Sequence, residues 1–319
     1  MKKNIVILYI SLFIAVAVLP LANYGQEKVP NGNQRVRTVS IPISIYTKEE
    51  LKQQQAEEFL AVDRLSVTEN GEEQTILSIR SVTDAPLSIA ILIQDDLTSN
   101  FNLELKNLRD FIRSLPKGSR VMVAYLRGGT LQIRQRFTDN LEEASDSLRI
   151  VFGSSSVAPR NPYDGLVDTL DRFDALPAGR RAVLMVSDGL DVSSGIDAAS
   201  PGQSTDLDRA ILRAQRKSVA VFTFYSPATH TEDGSSRLIS FGQGSLQKLA
   251  DATGGRAFFQ GTSAPISFQP FLKQLKLLLN RQFLLSYLTT NMKKRYYRVE
   301  VKSTNPEVKI EHPKGYYYR

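Results

Sequence analysis

Between Pro86 and Leu279 the sequence alternates apolar runs of strand length with amphipathic stretches of helix length, and this alternation constrains the fold more than any other feature. Leu87-Ser88-Ile89-Ala90-Ile91-Leu92-Ile93 is almost continuously apolar, the pattern of a parallel strand covered on both faces. Leu103, Leu105, Leu108, Phe111, Ile112 and Leu115 then recur at helical spacing over 100–115. Residues 121–126 and 131–137 read as two strands around Gly128-Gly129, hence an antiparallel hairpin. Helices are predicted over 141–152, 163–176, 207–215, 246–252 and 268–279, and strands over 182–186, 219–225 and 256–259. The fold class is therefore α/β: a doubly wound, mostly parallel, Rossmann-like sheet with helices on both faces and the hairpin at one edge.

The flanks have a different texture. Val39, Ile41, Ile43 and Ile45 alternate with period two, as in a half-buried strand, and Pro42 among them predicts a sheet edge. Residues 65–76 form a hairpin signal around Asn70-Gly71, a pair that tolerates positive φ at both positions. After Gln282 strands return over 283–288, 296–301 and 308–310, with a tail at Tyr316-Tyr317-Tyr318. Each flank alone has too few strands for a stable sheet, so 37–85 and 282–319 are expected to pair into one β-sheet domain interrupted by the α/β domain of 86–281.

At the N-terminus, Met1-Lys2-Lys3 precedes an uncharged run over 5–19, followed by Pro20, Ala22 and Gly25. This is the pattern of a secretory signal over 1–25, with a polar linker over 26–36, and it predicts export to the periplasm or beyond the cell. Retention as a membrane anchor is the alternative; otherwise the mature chain has no span. The chain contains no cysteine, so disulfides, an N-terminal lipidated cysteine and thiolate metal sites are excluded. The formal net charge of +7 is scattered, as in Arg209, Arg213, Arg216 and Lys217, which reads as solvated surface rather than a nucleic-acid footprint.

In an open α/β sheet, ligands bind at the carboxyl ends of the strands beside the switch point. The two loops there read Asp95-Asp96-Leu97-Thr98-Ser99-Asn100 and Ser187-Asp188-Gly189-Leu190-Asp191. Such oxygen-rich loops suit a hard cation such as Mg²⁺; equally, the same residues serve as helix caps and turns. Together with Leu249-Ala250-x-x-Thr253-Gly254-Gly255-Arg256, these loops resemble von Willebrand factor type A (VWA) domains. The segment Val67-x-Glu69-Asn70-Gly71-x-x-Gln74-x-Ile76 and the closing Gly315-Tyr316 are similar to the bacterial exported group described as VWFA-related.

The resemblance implies a metal-ion-dependent adhesion site of Asp-x-Ser-x-Ser, a Thr and a further Asp. Asp95 matches the first Asp, Ser99 the last Ser and Asp188 the third-loop Asp, while Leu97 stands at the middle Ser. Shifting by one brings in Asp96 and Thr98. The Thr position falls on Arg160, with Asn161 beside it; Ser187 and Asp191 border Asp188. The implied site is degenerate and any Mg²⁺ weakly held. Two readings of Arg160 stand: it points inward and pairs with Asp188, Asp95 or Asp96 in the cation's place, or it is an exposed loop arginine, as most arginines are.

Other constellations are sparse. His230 and His312 are the only histidines, Gly242-x-Gly244-Ser245 reads as a turn before a helix, and Asp164 and Asp168 read as a solvated helix face. The sequence thus points to an exported, non-enzymatic protein-binding module of adhesion or scaffold type. Metal-dependent ligand binding is the alternative and an envelope hydrolase a remote one.

Overall fold

The N-terminal flank folds as strand β1 (Arg37–Thr47), helix α1 (Lys48–Gln53) and strands β2 (Leu65–Glu69) and β3 (Glu72–Arg80). The α/β part begins with β4 (Leu87–Gln94), α2 (Leu105–Arg113), β5 (Arg120–Arg127), β6 (Thr130–Thr138) and α3 (Leu141–Asp146). It continues through α4 (Pro162–Asp171), β7 (Arg180–Ser187), α5 (Thr205–Arg216), β8 (Val219–Tyr225) and α6 (Ser236–Thr253) to β9 (Ala257–Phe258) and α7 (Gln269–Asn280). The C-terminal flank adds β10 (Gln282–Thr289), β11 (Tyr296–Ser303), β12 (Val308–Glu311) and β13 (Gly315–Tyr317). This computed structural model describes residues 35–53, 65–80, 86–128, 130–177, 179–232, 234–261 and 265–318; the signal segment and nearly all of the linker lie outside them.

The six strands of the α/β part lie in the order β6-β5-β4-β7-β8-β9, parallel except for β6. All eight residues of β4 are buried, as its apolar run requires of a strand covered on both sides. Ile89, Ile91 and Ile93 pack with Leu108 and Ile112 of α2 and Leu275 and Leu278 of α7 on one face. Ala90 and Leu92 pack with Leu166 and Leu170 of α4 and Leu207 and Ala210 of α5 on the other. Each large side chain so buried contributes about 1.5–3 kcal/mol.

The flanks share one antiparallel sheet of seven strands, ordered β12-β1-β10-β3-β2-β11-β13. Ile41, Ile43, Val67, Leu285, Tyr287 and Val299 form its core. Asn70 and Gly71 take φ of 53° and 88°, as the hairpin signal predicted. Pro42 is not on an edge strand: β1 lies between β12 and β10. However, β12 pairs only with Ser44–Thr47, so at Pro42 the sheet is locally open on that side, which is how the missing N–H is tolerated.

Val36–Arg319 is one compact unit. Ser218 Oγ donates to Ser40 O at 2.7 Å, and Arg256 bridges Glu311 and the Tyr46 hydroxyl, tying the two sheets together.

Two helix expectations need correction. The helix predicted over 141–152 stops at Asp146, because the backbone at Arg149 is taken by the Tyr125 hydroxyl, which accepts from Arg149 N at 2.8 Å and donates to Arg149 O at 2.9 Å. Gly242-x-Gly244-Ser245 is not a turn. It lies inside α6, where a Cβ at Gly242 would come within 2.0 Å of Asp188 O; the glycine lets the helix lie against the Asp188 loop.

Candidate functional site

β4 lies between β5 and β7, and the chain crosses from one side of the sheet to the other around it. The crevice at its carboxyl end is formed by the loops after β4 and β7, as the switch-point rule requires. Two consecutive carboxylates leave β4 there and turn to opposite sides.

Asp95 turns toward β5 and is completely buried. Arg149 grips it with two bonds, Nη1 to Oδ1 at 2.7 Å and Nη2 to Oδ2 at 2.9 Å. Arg127, at the end of β5, adds a longer contact from Nη1 to Oδ2 at 3.4 Å. The Arg149 guanidinium also lies 4.1 Å from the centroid of the Tyr125 ring and 5.1 Å from that of Phe152. The planar fork is thus held by its partner and by aromatic rings at once. The hydrogen bonds from Arg149 to Asp95 keep the Arg149 pKa raised above the ordinary arginine value.

Asp96 turns toward β8. Its Oδ1 accepts from Gln94 Nε2 at 2.8 Å and its Oδ2 from the backbone N–H of Thr229 at 3.2 Å. Gln94 is the hinge of this half: its Oε1 accepts from Ser187 Oγ at 2.5 Å and from Asp188 N at 3.3 Å. Asp188 accepts from Leu190 N at Oδ1 and from Thr231 Oγ1 at Oδ2, at 3.1 and 3.4 Å. Burial and, after it, the nearby Asp96 charge push the Asp188 carboxyl up to about 7; the bonds from Leu190, Gln94 and Thr231 only partly oppose this. Below the loop, the Tyr163 hydroxyl of α4 donates to Gly189 O at 2.6 Å.

The remaining residues singled out in the sequence do other work. Ser99 is exposed at the start of a 3-10 turn and does not join the carboxylates. Thr98 Oγ1 is buried without a hydrogen-bond partner. Leu97 is fully buried, its backbone bridged to Ala228, so the middle position of the loop belongs to the core.

Arg160 corrects the expectation placed on it. It is exposed, its Nη2 donates to Ser193 O at 3.4 Å, and it pairs with none of Asp95, Asp96 and Asp188. The positive charge comes instead from Arg149, which the chain turn after α3 delivers to Asp95. Asn161 caps α4 by accepting from Tyr163 N, and donates to Asp206 at 2.6 Å. Ser187 locks the Asp188 turn by accepting from Gly189 N. Asp191 receives Ser193 Oγ and Ser204 Oγ, both at 2.6 Å, and so braces the N-terminus of α5.

Sequence reasoning missed Arg149, Arg127, Gln94, Thr229 and Thr231. Only Gln94 carried a local signal, as a polar residue ending an apolar strand; the others reach the site from distant elements.

A resident Mg²⁺ demands oxygen ligands at short range and keeps several waters. Here both oxygens of Asp95, Asp96 and Asp188 already accept from protein donors, and a guanidinium stands beside Asp95. Among the described residues no group of three or more His, Cys, Asp or Glu side chains is placed to hold a metal ion. The residues present do not fit the cation.

Strand order, two helix layers and the crevice define a doubly wound, Rossmann-like α/β protein carrying a second, antiparallel sheet. No protein-family model matches the chain, and no curated protein matches it in sequence. Solved structures similar to it include an aerotolerance-related membrane protein from Bacteroides fragilis NCTC 9343, at 10% identity and TM-score 0.44, covering 61% of this chain and 98% of that one. The conserved hypothetical protein BatB from Bacteroides thetaiotaomicron is similar at 13% identity and TM-score 0.42, covering 59% and 96%. The SpRpn10 VWA domain is similar at 10% identity and TM-score 0.40, covering 59% and 93%.

Proposed function

We propose that the chain is an exported, non-enzymatic binding module of VWA type, which engages a partner protein through its strand-end face without a metal ion. The observation that carries this reading is the Arg149–Asp95 pair. A VWA-type face needs positive charge among its carboxylates, and here a guanidinium from the chain itself supplies it at the fully buried Asp95. The neutral donors around Asp96 and Asp188 support the same reading on the other half of the crevice. Export rests on the signal-like N-terminus, and no helix among the described residues is long and apolar enough to cross a membrane. A binding rather than catalytic role is favoured because His230 lies exposed on the loop after β8, outside the buried carboxylate cluster, so no Ser-His-Asp arrangement is formed with it.

The test is capture of partners from the cell envelope by the mature chain, with and without chelator, alongside calorimetric titration with Mg²⁺. Metal-independent binding predicts the same captured protein in both arms and no heat of Mg²⁺ binding. Release by chelator together with a measurable Mg²⁺ affinity would favour the metal-dependent alternative.

A further inference from the structure

The loop after α3 holds two large apolar side chains in solvent. Ile150 is 61% exposed and Phe152 54%, while Val151 between them is 3% exposed. The loop is tied down: Phe152 N donates to Asp95 O at 3.0 Å, and Val151 N to Asn102 Oδ1 at 2.8 Å. The pinned backbone sets the two side chains at the rim of the crevice: the Phe152 ring packs against the Arg127 and Arg149 guanidiniums and still leaves more than half of its surface in solvent beside Ile150, an apolar patch next to charge.

The charge beside them is unbalanced. Two guanidiniums, Arg127 and Arg149, face one carboxylate, Asp95. Arg149 commits both terminal nitrogens to it. Arg127 contributes one contact of 3.4 Å, its side chain is 36% exposed, and it lies 4.5 Å from the centroid of the Phe152 ring. Stacking on a ring uses the face of a guanidinium and leaves its edge free to take an in-plane carboxylate. The other nearby acid, Asp96, is turned to the far half of the crevice with donors of its own. An aromatic paired with arginine is also the composition of binding hot spots.

We infer that the β5 side of the strand-end face, made by Arg127, Arg149, Ile150 and Phe152, docks a segment of a partner protein that presents a carboxylate beside an apolar side chain. This rests on the metal-independent binding reading and names the partner chemistry for it. Arg127 takes the carboxylate, Phe152 and Ile150 take the apolar side chain, and Arg149 with Asp95 forms the fixed floor.

The full mature chain, in chelator, is incubated with an array of short peptides of random composition, and the best peptides are measured in solution by fluorescence anisotropy. The expected selection is for Asp or Glu next to Phe, Leu or Ile. Converting the peptide carboxylates to amides weakens binding at least roughly tenfold, as do Arg127→Gln and Phe152→Ala in the chain, whereas Arg160→Gln changes nothing. Thermal melts of each variant confirm that it is folded. Selection without acidic preference, or binding untouched by both Arg127→Gln and Phe152→Ala, overturns the assignment while leaving the binding-module reading standing. Peptide retention only when Mg²⁺ is supplied, or none in either condition, overturns both.

Discussion

Arg149→Met is the substitution that most directly probes how the site is held together. Met keeps much of the apolar stem and removes the guanidinium. Asp95, with no exposure of its own, would keep only the 3.4 Å contact from Arg127 in place of the bidentate grip at 2.7 and 2.9 Å. Breaking one side of a buried pair costs about 3–5 kcal/mol, because the remaining charge is left uncompensated. The residual Arg127 contact argues for the lower end, and loss of the guanidinium from the Tyr125 and Phe152 rings adds about 0.5–1 kcal/mol. Against a typical total stability of about 5–15 kcal/mol the variant should be plainly weakened. Adding Asp95→Asn should restore a large part of the loss, since the amide carries no charge to strand. The assay is urea unfolding of the wild type, both single variants and the double variant, at neutral pH, in low and high salt. A buried pair predicts a coupling of about 1.5–3 kcal/mol that salt barely changes. A loss under about 1 kcal/mol that disappears in high salt would mean the pair behaves as a surface salt bridge, and the reasoning about a built-in cation would fail.

Three other outcomes are expected. Because the Asp188 carboxyl is held up at about 7, the folded chain keeps a proton there that the unfolded chain releases from about pH 4 upward; stability at this site is fullest below that and falls as pH rises through 7, by up to ~4 kcal/mol. Asp188→Asn should therefore melt higher than wild type at pH 8, with the gap closing toward pH 5; equal melting at pH 8 would refute this. Gly242→Ala should destabilise the fold by ~1–3 kcal/mol, read as a lower melting temperature, since its Cβ would press on Asp188 O, and a neutral result in a thermal melt would show that α6 can move away. Glu69, fully buried in the antiparallel sheet, accepts from the Tyr287, Tyr316, Thr289 and Asn291 side chains; Glu69→Gln turns an amide donor toward these donors and should cost about 1–3 kcal/mol in urea unfolding.

What the sequence determined by itself was periodic or local. The apolar run of β4, the helical spacing after it and the Asn70-Gly71 turn each express a rule that acts over a few residues, so they read directly. The pairing of the two flanks was also legible, because neither carries enough strands to stand alone. The strand-end loops could be located because ligand crevices of open α/β sheets lie at the carboxyl ends of the strands, whereas the strand order that fixes the switch point came from the structure. Tertiary structure alone decided which way each carboxylate faces. Asp95 and Asp96 are neighbours in sequence, yet one meets Arg149 and the other Gln94 and Thr229, because a chain leaving a strand end can aim successive side chains at opposite walls. Counting along a motif placed the compensating charge on Arg160. The fold delivered it from Arg149 because the hydroxyl of Tyr125, inside β5, captures the backbone there and ends the helix early. A charge that neutralises a buried acid is selected by proximity in space, and no spacing along the chain encodes that.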